Sequence, residues 1–117
     1  MRLEVLTDPA HRGEVVRARL VVEPDVPAEV GLVCVSIYPD APATGEEEPS
    51  MLETVTHQRW VELDVNAAEQ IVDLPVPLRG PYSYESEALA FAWRVVGRTR
   101  RRFAPSETIE RELRVLP

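Results

Sequence analysis

Apolar and polar residues alternate at a period of two through most of this chain, and no window carries a convincing i, i+3, i+4 apolar stripe. That pattern suits pleated strands with one buried face and leaves little room for amphipathic helices. Strands are expected at Arg2–Thr7, Glu14–Val22, Glu29–Tyr38, Met51–Val65 (with a break), Glu69–Val76, Glu87–Val96 and Thr108–Leu116, seven or eight in all. Between them lie DPAHRG, EPDVPA, YPDAPATGEEEPS, VNAAE, PVPLRGPYSY and GRTRRRFAPSE, rich in residues that turn a chain or interrupt a ladder.

Short strands at this spacing predict an all-β fold, an immunoglobulin-like antiparallel β-sandwich, in a single domain over residues 1–117. A chain of this length buries roughly two-thirds of its unfolded surface and folds without staples. In the second strand Val16, Ala18, Leu20 and Val22 are expected to face the core, with Val15, Arg17, Arg19 and Val21 outside. EVGLVCVSIY and EALAFAWRVV are apolar on both faces and read as central strands. The last strand sets Ile109, Leu113 and Val115 against Thr108, Glu110, Glu112 and Arg114, the pattern of one wet face. It and the N-terminal strand are therefore expected at sheet edges, where pairing between two copies gives a homodimer.

The stretch LPVPLRGPYSY reads as a corner. Pro75, Pro77 and Pro81 restrict φ and remove ladder donors, Gly80 is expected to supply a positive φ, and Tyr82 and Tyr84 to pack at the end of the sandwich.

Little in the sequence points to catalysis. Cys34 lies in an apolar run and reads as a buried, inert thiol in a reducing compartment. His11 and His57 sit outside any nucleophile motif, one cysteine and two distant histidines do not make a zinc site, and the five glycines form no phosphate loop. No catalytic residue, cofactor or metal is expected. The Glu46, Glu47, Glu48 run reads as a solvated acidic loop. A net charge of −7 disfavours nucleic acid and anionic membrane as bulk partners. No stretch is long and apolar enough to span a membrane, and MRLEVLTDPAH lacks an export signal's apolar core, so a cytoplasmic protein is expected. All thirteen basic residues are arginine, a bias expected of a GC-rich bacterial genome.

The densest charge is the turn RVVGRTRRRF. Arg98, Arg100, Arg101 and Arg102 are the candidate partner-binding residues: guanidinium forks in an otherwise acidic protein can steer an acidic protein partner. Their counter-charge is expected from that partner or from Glu46–Glu48. A different reading has a small β-sandwich or β-barrel enzyme, or a ligand carrier, with a site assembled from distant residues such as His57, Glu62 and Tyr84.

A strand ending in Leu-Pro, a proline corner, a Ser-Tyr pair and an aromatic/apolar strand together resemble the arrestin-like family, which includes arrestins, vacuolar sorting protein 26 and bacterial sporulation-control proteins. The residues that carry the resemblance are Leu74, Pro75, Leu78, Pro81, Ser83, Tyr84, Phe91, Trp93 and Val95, with HRGEVVRARLVVEPDVPAEVGLVCVSIY matching the early strands. The resemblance implies a non-catalytic adaptor or assembly module that binds proteins. Those relatives usually pair two sandwiches and use lysines that this chain lacks, so receptor binding and membrane trafficking are not implied.

Overall fold

A computed structural model describes residues 1–40 and 50–117. The described residues form ten strands and no helix: β1 Arg2–Val5, β2 Ala10–His11, β3 Val15–Val21, β4 Ala28–Pro39, β5 Met51–Glu62, β6 Glu69–Pro75, β7 Tyr84–Glu85, β8 Ala90–Thr99, β9 Thr108–Leu113 and β10 Val115–Leu116. One antiparallel sheet has the order β1-β3-β6; the other runs β5-β4-β8, with β7 and β9 sharing the far side of β8. The inner faces of the two sheets meet in a single core. Leu3, Val16, Ala18, Leu20, Val72 and Leu74 from the small sheet oppose Val30, Leu32, Cys34, Trp93, Val95 and Leu113 from the large one. The all-β expectation and the inward set of the second strand agree with this arrangement, and β4 and β8 are central strands as their two apolar faces foretold.

Two expectations are corrected, and the expected edge strands are joined by another. The last strand does not run unbroken to Leu116. At Arg114 the ladder with β8 ends, the Arg114 N–H donates to Asp8 Oδ1 at 3.1 Å, and β10 pairs in parallel with β2 inside what reads as a loop. Leu113 and Val115 keep the same inward parity, so only the hydrogen-bonding partner changes. The edges also differ in kind. β1 and β9 are edge strands, but they lie against each other and close one side of the sandwich, whereas β5 is a twelve-residue edge paired only with β4. A bulge at Thr56 and Arg59 on the inner face, opposite Leu32, guard that edge against addition of another strand. Finally, Gly80 does not take a positive φ; Gly13 does, at 83°. The chain leaves the small sheet through bends at residues 78–80, and the positive φ is taken in the facing turn, where Gly13 N–H donates to Val76 O at 3.1 Å.

The corner itself stands as read. Trp93, buried to 1% exposure, donates its indole N–H to Pro81 O at 3.2 Å, and Tyr82 and Tyr84 meet edge to face at 6.4 Å between centroids. Ser83 closes it: its N–H donates to Val115 O and its Oγ accepts from Val115 N–H, both at 2.8 Å.

Candidate partner-binding site

Opposite the corner, three connections meet: residues 22–27, 63–68 and 100–107. The last is closed at its base by Thr99, whose N–H donates to Glu107 O at 2.9 Å and whose Oγ1 accepts from Glu107 N–H at 3.0 Å. β8 delivers Arg98 to the outer face of the large sheet, directly across from Glu29 of β4. Glu29 has only 9% of its side chain exposed, yet it also lies opposite Glu62 of β5. Two like charges facing across a ladder repel. Two guanidiniums offset that repulsion: Arg98 Nε and Arg100 Nη2 both donate to Glu29 Oε1, the latter at 3.0 Å.

Arg98 is held a second way. Its guanidinium lies 3.7 Å from the centre of the Trp60 ring, a stacked cation–π contact. Trp60 lies flat across β4 because the residue beneath it is Gly31: a Cβ there would stand 2.5 Å from the indole carbons. Gly31 therefore serves as a floor for the tryptophan rather than as a turn.

The four candidate arginines thus come together at one end of the sandwich and divide into different roles. Arg98 is built into the sheet face through Glu29 and Trp60. Arg101 reaches Glu23 at 3.4 Å and Glu107 at 3.6 Å. Arg100 is anchored on Glu29 but its side chain remains 68% exposed. Arg102 is exposed beside Phe103, which is 95% exposed, and among the described residues it has no carboxylate within ion-pair distance. The counter-charges found are Glu29, Glu23 and Glu107. Glu46, Glu47 and Glu48 lie outside the described residues; the flanking Asp40 and Ser50 stand at the far end of β4 from Arg100. Nothing local marks Glu29 as the hub, since it opens an apolar strand and only the β4–β8 register brings it to Arg98.

His57, Glu62 and Tyr84 do not converge. His57 is opposite Cys34 on the inner side, Glu62 is five residues further along the same strand and faces outward, and Tyr84 pairs with Phe91 across β8. His57 packs against Trp93 at 5.5 Å between ring centres, and its Nε2 is buried without a hydrogen-bond partner among the described residues. Burial, followed by the nearby Arg59, holds its pKa below the ordinary histidine value. Cys34 is fully buried and burial pushes its thiol pKa up, against a smaller opposing effect of Thr56, so the thiolate that reacts is disfavoured.

Two packed sheets with charged connections gathered at one end define the class: an all-β sandwich. No protein-family model matches the chain, and no curated protein matches it. Among solved structures, the crystal structure of Spo0M, a sporulation control protein from Bacillus subtilis, shares the fold, with a TM-score of 0.59 at 12% sequence identity. The match covers 97% of this chain and 47% of that one, so this chain spans about half the length of its structural neighbour. Spo0M belongs to the sporulation-control group that the arrestin-like resemblance names. Among the described residues no helix is long and apolar enough to cross a membrane.

Proposed function

We propose that this chain is a non-catalytic adaptor or assembly module of a bacterial cytoplasm, built on an arrestin-like, immunoglobulin-like sandwich, which meets an acidic protein partner through the turn at Arg98, Arg100, Arg101 and Arg102. The observation that carries the reading is a groove of about 340 Å³ at the loop end lined by Arg100, Arg101, Arg102 and Asp25, in which Glu29 holds Arg100 from outside the groove, Glu23 and Glu107 hold Arg101, and Arg102 has no carboxylate within ion-pair distance among the described residues. In a chain of net charge −7, Arg102 is thus an exposed positive group beside a concavity, and such a group can steer an acidic partner. The likeness to a sporulation control protein supports a regulatory or adaptor role on the same fold.

Arg102 is the residue to change first, because reversing Arg100 or Arg101 sets a new carboxylate beside Glu29, Glu23 or Glu107 and perturbs the scaffold. The tagged full chain and its Arg102→Glu variant are used to capture partners from the native cell, and the association rate of the captured partner is followed against salt. The variant is expected to keep its fold and to associate more slowly with a flatter salt dependence. Identical rates and salt slopes for the two proteins would remove the turn as the partner-binding surface.

A further inference from the structure

Backbone hydrogen bonds tie the connections of the loop end into one surface. Asp25 N–H donates to Val65 O at 2.8 Å, Leu63 N–H to Ala28 O at 3.0 Å, and Arg100 N–H to Pro27 O at 2.8 Å. Two concavities adjoin there and share Pro27 and Arg100 as their common wall. One is the arginine groove. The other is a cleft of about 140 Å³ lined by Ala28, Leu63 and Val65, together with the buried Glu29 and the exposed Glu62. That volume is close to the roughly 150 Å³ cavity that takes a benzene ring, so it suits a single apolar side chain.

The shared wall is already set in place. Arg100 spends one N–H on Glu29, while a guanidinium has five. Glu29 and the facing Glu62 balance Arg98 and Arg100 in charge, so what Arg100 offers a ligand is its unused N–H groups, and the unbalanced positive charge of the groove is that of Arg102. A further carboxylate arriving at Arg100 meets a fork whose rotamer entropy has already been lost. Arg102 offers a second fork along the groove. Glu62, at the mouth of the apolar cleft, repels an acidic group placed there and so fixes the direction in which a ligand can lie.

From this juxtaposition, and resting on the adaptor reading above, we infer that the loop end binds an extended acidic segment of the partner protein. An aliphatic side chain of the segment fills the Leu63–Val65 cleft, and the carboxylates beside it engage Arg100 and Arg102. The guanidiniums line a concavity, which fits a chain segment better than the plane of an anionic bilayer, although Phe103 is exposed nearby.

The test is an NMR titration of the full chain with a synthetic peptide of one leucine flanked by glutamates, alongside versions with Leu→Ser or all Glu→Gln. Saturable shifts are expected at residues 25–27, 63–65 and 100–102, with affinity lowered about tenfold by either peptide change, by Arg102→Gln or by Val65→Glu. Arg79→Gln, a loss of one positive charge at the opposite corner, is expected to leave binding unchanged. The inference is overturned by shifts mapping elsewhere, by equal losses in Arg79→Gln and Arg102→Gln, or by no saturable shift. Binding to anionic phosphatidylserine vesicles but not to the peptides, lost in Phe103→Ser, would assign the loop to lipid instead. Failure of the peptides while partner capture still depends on Arg102 would remove only this occupant; failure of both would remove the turn as the partner-binding surface as well.

Discussion

The two ends of the sandwich are fixed by different physics. At the corner, covalent chemistry does most of the work: Pro75, Pro77 and Pro81 limit the chain's conformations before anything packs, and neutral hydrogen bonds from Trp93 and Ser83 then lock it. At the loop end, backbone hydrogen bonds such as Arg100 N–H to Pro27 O fix the connections, while the side chains between residues 98 and 102 are placed by long-range ion pairs with Glu29, Glu23 and Glu107 and by one cation–π stack on Trp60. Such contacts weaken as salt rises and can be exchanged for equivalent ones from another molecule. A corner of this kind holds a shape, whereas a charged end of this kind can trade its partners.

The sharpest way to break that contrast is at Trp93. Trp93→Ala is expected to cost about 3–5 kcal/mol in urea denaturation, through lost burial and a cavity in the core. Trp93→Phe is expected to cost less, about 1–3 kcal/mol, because it leaves the Pro81 carbonyl without its donor. Next is Gly31→Ala at the other end, expected at about 1–3 kcal/mol because the new Cβ pushes the Trp60 ring off its seat. The ring's displacement should also change tryptophan fluorescence; an unchanged spectrum and stability would mean that the Arg98–Trp60 stack does not depend on Gly31.

Smaller effects sharpen the corner itself. Gly13→Ala is expected to cost about 1–2 kcal/mol, since a Cβ is disfavoured at φ of 83°. Gly80→Ala, at a negative φ, is expected to cost less, at most about 1 kcal/mol, since its Cβ meets Pro77 Cγ at 3.3 Å without backbone strain. Equal costs at the two glycines would reverse the assignment of the turn.

The smallest effect is a pH dependence. The folded state holds His57 below its unfolded pKa, so the unfolded chain binds the proton more readily. Its contribution is fully present above the ordinary histidine pKa, is lost as pH falls below that value toward the folded one, and then levels off. Comparing urea midpoints at about pH 7.5 and about pH 5 should show a larger acid loss for the native chain than for His57→Gln. Equal losses would place the sensitivity elsewhere.

How much of this was legible beforehand follows the range of each interaction. The alternation of Val16, Ala18, Leu20 and Val22 marks an inward face because side-chain direction in a strand has a fixed period, and the structure keeps it. The prolines announced the corner for the same local reason. The register of β4 against β8 was not legible, and it alone makes Glu29 the anchor of Arg98 and Arg100. Nor could the sequence show that the ladder changes partners at Arg114, because Leu113 and Val115 keep their parity through the switch.

By itself the sequence determined an all-β chain, its central strands, its proline corner and a cluster of arginines, all of them properties of neighbouring residues. Only the tertiary structure decided which of those arginines are occupied and which are left exposed. Guanidinium and carboxylate meet there across separations such as 69 residues between Glu29 and Arg98. Charge alternation along the chain carries no record of such a pairing; the packing of the sheets and the register of their strands create it.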